Sequence, residues 1–151
     1  MDLYEVSIYT KVAFEEIAAI ISKFKGIPIG KIGTEDAYYN QLSDDNELEV
    51  GISVQHQNKG YRTFVQLVFK NEMIERDFVE IVCELARELD TDVAIGDITS
   101  NSNFATGEYL IITADQHYQK AYEKSNDEDS FELSVYTDKR EVSELFDSLQ
   151  V

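Results

Sequence analysis

The chain has 151 residues, of which 43% are hydrophobic and 28% charged, a balance typical of a folded globular protein rather than a disordered chain. Its 30 acidic residues against 13 basic ones give a formal net charge of −17 at pH 7. Nucleic acid and anionic lipid bind through Lys and Arg, so this charge argues against both as partners and favours a basic protein.

Cysteine usage and the N-terminus bear on the compartment. Cys83 is the only cysteine, so no disulfide within the chain is expected, and its apolar helical neighbours predict a small core side chain. The first residues lack the basic and apolar regions of a signal peptide, and no apolar run is long enough to span a bilayer. We therefore expect one domain over residues 1–151, located in the cytoplasm.

The first quarter of the chain predicts a strand followed by a helix. Residues 3–11 alternate, with Tyr4, Val6 and Ile8 on the face that we expect to be buried. Apolar residues then recur at helical spacing over residues 14–24, and Gly26 ends the helix. Residues 27–42 hold the only proline and predict a loop with a short element near Tyr38.

The middle and end of the chain predict two hairpins and two helices. Residues 48–54 and 61–69 alternate on either side of a turn, and an amphipathic helix follows, with Asn71 as its N-cap. Residues 93–99 and 108–113 predict a second, shorter hairpin. A last short helix is expected from Asp138, where Glu141 completes the spacing of a capping box.

The order of these elements predicts an α+β fold. Strand, helix, strand, strand, helix, strand is the split β-α-β arrangement of a ferredoxin-like core. We expect an antiparallel sheet with the two main helices on one face, extended by C-terminal strands and the short helix.

One octapeptide pattern occurs near both ends of the chain. LYEVSIYT at residues 3–10 and SFELSVYT at residues 130–137 share four identical residues and three conservative ones. Alternating strands draw on a restricted set of residues, and the likeness extends into the next segment only after a one-residue gap. Shared strand physics therefore explains the similarity better than a duplicated unit with a functional site.

No motif in the sequence indicates a catalytic or metal-binding site. Residues 97–108 carry oxygen-bearing side chains at the spacing of a calcium loop, but Ser102 replaces its glycine and strands flank it. His56 and His117 lie in no zinc-binding spacing, and nucleophile elbows and phosphate-binding loops are absent from the sequence. The sequence thus predicts no catalytic residue, no metal and no cofactor.

The distribution of charge suggests a binding surface. Residues 32–58 and 88–119 contain no Lys or Arg, and tyrosines lie in or beside these acidic segments. Tyrosine supplies contact area while carboxylates attract a basic surface. The predicted partner-binding residues are Glu35, Asp36, Tyr38, Tyr39, Asp44, Asp45, Glu47, Tyr61, Asp97 and Tyr109.

These observations favour an acidic, non-catalytic protein-binding module, of the kind that an immunity protein or antitoxin uses to neutralise a basic partner. A DNA mimic, with carboxylates in place of phosphates, is a variant of this hypothesis. Two alternatives stay open: a small cytoplasmic enzyme using carboxylates in a cleft, and a regulatory domain that oligomerises through an exposed sheet edge. The oligomeric state is not determined by the sequence.

Overall fold

The computed structural model describes residues 2–41, 47–99, 107–124 and 130–149. Within them, the helices are α1 (Phe14–Lys25), α2 (Glu35–Asn40), α3 (Glu75–Leu89) and α4 (Val142–Ser148), with a 3-10 turn at Ile29–Lys31. The strands are β1 (Asp2–Ile8), β2 (Ile32–Thr34), β3 (Val50–His56), β4 (Lys59–Gly60), β5 (Thr63–Phe69), β6 (Val93–Gly96), β7 (Glu108–Ile112), β8 (His117–Glu123), β9 (Ser130–Phe131), β10 (Leu133–Val135) and β11 (Arg140–Glu141). The predicted α+β class is confirmed.

The main sheet is larger than the sequence suggested, and it is mixed. Its strands lie in the order β10, β8, β7, β6, β1, β5, β3, β2, with β11 paired to β8 as the ninth strand. All neighbours are antiparallel except β2 and β3, so the prediction of an antiparallel sheet was wrong at this edge. The chain passes from β2 to β3 through a crossover that contains α2, and a crossover, unlike a hairpin, joins parallel strands.

One face of the sheet is closed by α1 and α3, which contact each other. The prediction for β1 is confirmed for Val6 and Ile8, which are buried in this layer, whereas Tyr4 is half-buried and Ser7, on the opposite side, is also buried. Ile21 of α1 and Val82 of α3 belong to the same core cluster and have no exposed surface. We call this side of the sheet the helix face; it contains most of the apolar core.

The opposite side, which we call the second face, has two smaller covers. At the β3 end, α2 lies so close that a Cβ on Gly51 would be 2.6 Å from the Cβ of Tyr38. At the other end, β4 and β9 pair in parallel as a separate two-stranded sheet. Tyr61 directly follows β4, and Phe131 belongs to β9. Both pack in a cluster with Ala94, Ile111 and Ala121.

Two helices begin later than predicted. The N-cap of α3 is Ile74 and not Asn71. The hydroxyl of Tyr4 donates to the carbonyl oxygen of Met73 at 3.2 Å, which ties the segment before the helix to β1. The N-cap of α4 is Glu141 and not Asp138, because Arg140 and Glu141 pair with β8 as β11.

The longest helix among the described residues is α3, with 15 residues. In this part of the chain no helix combines the length and the apolar character needed to cross a bilayer.

Candidate binding groove

The first group of predicted binding residues lies on and beside α2. Thr34 caps this helix, since its hydroxyl accepts a hydrogen bond from the Ala37 N–H at 3.1 Å. Tyr38 is buried against the sheet, and burial, followed by the charge of Glu47, raises the pKa of its hydroxyl. Tyr39 is half-exposed and packs edge-on against Tyr38, with ring centroids 5.5 Å apart.

The remaining members of that group differ in their exposure. Asp36 is exposed, whereas Glu35 and Glu47 are half-buried. The carboxylate of Glu47 lies 3.1 Å from Lys70 Nζ and is therefore already paired. Asp44 and Asp45 lie outside the described residues.

The second group of predicted residues lies at the other end of the sheet. Tyr61 is buried, with its ring 5.3 Å from that of Tyr9 and 6.0 Å from that of Phe131. Tyr109 is half-buried, and its ring centroid lies 5.0 Å from that of Phe131. Tyr109 lies on β7, which β6, β1 and β5 separate from β3 beneath α2, and Tyr61 packs with Ala94 of β6. The predicted residues therefore do not form one surface.

Asp97 also belongs to the second group, but its side chain is buried and contacts other residues of the protein. Its side chain is only 2% exposed, and its carboxylate lies 3.7 Å from Lys120 Nζ. The same carboxylate accepts hydrogen bonds from the N–H and the hydroxyl of Thr99 at 2.9 and 2.6 Å. These contacts stabilise the carboxylate, because a charged group that is buried away from water needs hydrogen-bonding or oppositely charged partners.

A groove of about 730 Å³ lies beside the β4–β9 pair, over β1 and the adjoining ends of β6 and β7. This volume is within the range of ~300–1,000 Å³ that is common for binding sites. The groove is lined by apolar and aromatic side chains together with four carboxylates: Leu3, Tyr4, Phe64, Phe78, Ile95, Ile98, Tyr109 and Phe131, and Glu5, Glu75, Glu108 and Glu123.

The groove exists because β1 and β6 separate. Their pairing covers only two residue pairs, Ser7 with Ala94 and Ile8 with Val93, whereas β1 pairs with β5 over seven. Before Ser7, toward the start of β1, the two strands are not paired, and the groove extends through this opening in the sheet. Residues of both faces therefore line the groove. Tyr4 lines it from the helix face and Glu5 from the second face, because neighbouring side chains of a strand point to opposite sides.

The electrostatic character of the groove is negative. No Lys or Arg occurs among the described residues that line it. Burial, followed by the charges of Glu123 and Glu5, raises the pKa of the Tyr109 hydroxyl. Carboxylates from β1 and β8 therefore act on the same tyrosine, although 118 positions separate them in the sequence.

Sequence reasoning missed most of this groove and found only Tyr109 among its predicted partner-binding residues. Glu123 lies between Lys120 and Lys124 in the sequence, which hides it from a search for segments without positive charge. The alternation of β8 separates these charges, because Lys120 pairs opposite Leu110 and reaches Asp97. The signal that could have found Glu5 is its position on the polar side of the alternating first strand.

A second, shallower depression of about 480 Å³ holds Arg87, Thr91, Asp92, Asp115 and Lys139. Burial raises the pKa of the Asp92 carboxyl, while a hydrogen bond from the Thr113 hydroxyl lowers the pKa of Asp115. Opposite shifts in one depression are a pattern of acid–base pairs. This feature favours the enzyme alternative.

The described residues give no further indication of chemistry. Cys83 is buried in the core, as predicted, and burial raises its pKa to about 12. No group of three or more His, Cys, Asp or Glu within the described ranges is arranged to hold a metal ion. Residues 100–106 of the calcium-loop candidate lie outside those ranges.

Comparisons with known proteins yield no relative: no family model, curated protein or solved structure matches this chain significantly.

Proposed function

We propose that this protein is an acidic, non-catalytic binding module that captures a basic protein, and that the groove beside the β4–β9 pair is its contact site. The observation that carries the proposal is the composition of the groove. Four carboxylates and several aromatic rings line it, without a described Lys or Arg among them. Aromatic rings supply contact area with little loss of conformational freedom, and carboxylates select and attract positive side chains.

The charge of the whole chain supports the same function. A net charge of −17 attracts a basic protein over a distance of about one Debye length, ~8–10 Å at physiological salt, and so accelerates its encounter. The groove then supplies local complementarity that net charge alone lacks. An immunity protein or antitoxin, which neutralises a basic toxin, has these requirements, and we assign this role as the first hypothesis within the class.

The fold supports a rigid site. We infer that β1, β3, β5 and β6, with α1 and α3, form a ferredoxin-like core, an inference supported by their order β6, β1, β5, β3 in the sheet. The groove residues on β1, β6 and β7 would then be held by a packed sheet and not by loops, which limits the entropy lost on binding.

The depression around Asp92 supports the alternative of an enzyme. We place it second because Asp115 is exposed and the depression is shallower than the groove. An active site excludes water because this strengthens its electrostatic interactions. The groove is the larger of the two concavities, so the shallow depression is the less suitable site for catalysis.

The test begins with the genes adjoining this one in its genome. The product of any that encodes a basic protein is purified, and its binding is measured by isothermal titration calorimetry across a salt series. We expect binding that weakens steeply as salt rises. The double variant Glu5→Gln/Glu123→Gln should lose about tenfold in affinity, which corresponds to ~1.4 kcal/mol.

The matched control is the double variant Glu88→Gln/Asp147→Asn, which also loses two negative charges. Both residues are exposed, and Glu88 lies thirteen residues, about 20 Å of helix, from the groove residue Glu75. Binding by the control within about twofold of wild type supports a local site. Equal losses of affinity in both variants would contradict a function that is specific to the groove. The proposal would also be contradicted if no adjoining gene encoded a basic protein and no basic partner were found.

A further inference from the structure

We propose that an extended segment of the basic partner adds as a β-strand to β1, in the opening where β1 and β6 separate. This inference deepens the proposed function and rests on it. It assigns the binding mode, which is backbone pairing inside the groove, and the sequence type of the segment, in which apolar and basic residues alternate.

The backbone of β1 presents hydrogen-bonding groups toward the opening. The Tyr9 N–H donates to the Asp92 carbonyl oxygen at 2.9 Å, so odd-numbered residues at this end of β1 point their backbone groups toward β6. Because these groups alternate sides along an antiparallel strand, those of Glu5 also point toward β6. Those of Tyr4 and Val6 point toward β5 instead.

The backbone of β6 presents its groups to the same opening. The Asp97 N–H donates to the Glu108 carbonyl oxygen at 3.0 Å, on the side of β7, so the groups of Gly96 point toward β1. The register that pairs Ser7 with Ala94 would next pair Glu5 with Gly96, but the pairing ends before this point. Two strand edges therefore face each other across a space in the middle of the sheet.

The side chains around the opening determine which segment fits. On the helix face the opening is lined by Tyr4, Phe78 and Ile95, which suit an apolar side chain. The groove lining on this side also includes the carboxylates of Glu75 and Glu108. On the second face it is lined by Glu5 and Glu123, which suit Lys or Arg. Successive side chains of a strand point to opposite faces, so the segment should alternate apolar and basic residues.

Charge also selects a foreign segment over a second copy of this chain. A second copy would bring a net charge of −17 to an opening that is lined by Glu5 and Glu123. Like charges directly opposite each other destabilise strand pairing, whereas opposite charges stabilise it. A basic segment is therefore the occupant that the lining fits.

The experiment is backbone amide hydrogen exchange, followed by NMR on the full-length protein. The probe is a blocked hexapeptide of alternating valine and lysine, and its control is the same peptide with methylated backbone nitrogens on the lysines. Methylation keeps the charge and the side chains but removes the donors needed for strand pairing. The free protein should exchange the Glu5 and Gly96 amides quickly and the Val6 amide slowly.

We expect the alternating peptide to slow exchange at Glu5 and Gly96 by about tenfold or more, with no change at Val6. Equal binding of the methylated peptide, absence of binding by the alternating peptide, or binding that leaves both amides unprotected would overturn strand addition. If the natural partner still binds in a groove-dependent way, only this inference fails. If calorimetry finds no groove-dependent capture, the proposed function itself fails.

Discussion

The two faces of the sheet are built from the same strands but differ in what covers them. On β1, Ile8 points to the helix face and has no exposed surface, whereas Leu3 points to the second face and is 50% exposed. Two long helices cover the first face, and a two-turn helix with a two-stranded pair covers parts of the second. The groove carboxylates on β1 and β8, those of Glu5 and Glu123, belong to the second face.

This difference separates stability from binding within single strands. A residue that contacts the helices contributes to stability, because its apolar surface is buried away from water. Its neighbour in sequence points to the other face and is available to a ligand. A strand can therefore support the core and a binding site at once. Substitutions of adjacent residues should then have unrelated effects.

The largest effect is expected on the helix face. Ile8→Ala should lower the free energy of unfolding by about 3 kcal/mol, because it removes buried methyl groups and leaves a cavity. Leu3→Ala on the same strand should lower it by less than about 1 kcal/mol, since half of the Leu3 side chain is already exposed. Urea denaturation measures both, and similar losses would mean that the second face is as tightly packed as the helix face.

An intermediate effect is expected at the cover of the second face. Gly60 has a φ of +71°, and a Cβ there would collide with the Phe131 carbonyl oxygen and lie 2.9 Å from Glu132 Cγ. Gly60→Ala should therefore lower the unfolding free energy by about 2 kcal/mol and displace β9 from β4.

Gly30→Ala is the control for this substitution, because no atom lies within 4 Å of its Cβ position. It should change the unfolding free energy by less than about 0.5 kcal/mol. Heteronuclear NMR should show shifted resonances for Phe131 and Tyr61 in Gly60→Ala only. Unchanged resonances at both residues would argue that the β4–β9 pair does not hold the wall of the groove.

The smallest effect concerns the charge of the groove. Removing two carboxylates by Glu5→Gln/Glu123→Gln should lower the pKa of Tyr109, which should still exceed its usual value of 10.0 because burial remains. The variant Glu88→Gln/Asp147→Asn should leave this pKa unchanged. Carbon-13 NMR of the tyrosine rings measures the titration. An unchanged Tyr109 pKa in both variants would mean that the carboxylates of Glu5 and Glu123 do not act on Tyr109.

The same raised pKa has a consequence for stability. The folded state holds the Tyr109 proton more tightly than the unfolded chain does, so this contribution is complete below pH 10. It is lost as the pH rises through the pKa of the folded state. Removing the two groove carboxylates should reduce this loss above pH 10.

The sequence predicted local elements well wherever the residue pattern was regular. The strand predicted at residues 3–11 and the amphipathic helix over α3 follow from periodicity, and the C-cap of α1 is Gly26 with a φ of +69°, as predicted. The similar octapeptide SFELSVYT had the same pattern but a different outcome. It divides into β9 and β10, which pair with different sheets.

The reason lies in the neighbours of each segment. β1 lies in the middle of the main sheet, where seven residue pairs with β5 and two with β6 fix an extended strand. The second copy lies at the sheet edge, where Phe131 turns toward Tyr61 and Tyr109 to cover the second face. Equal alternation thus gives one continuous strand or two short ones, depending on its tertiary partners.

The sequence by itself determined the α+β class, the buried side of β1, the burial of Cys83 and the acidity that favours a basic partner. These properties depend on composition and on residues close together in the chain. Only the tertiary structure decided that β1 and β6 separate, and that Glu5 and Glu123 both act on Tyr109 while Lys120 reaches Asp97. Strand pairing brings together residues more than a hundred positions apart, and side-chain alternation separates charges that adjoin in the sequence.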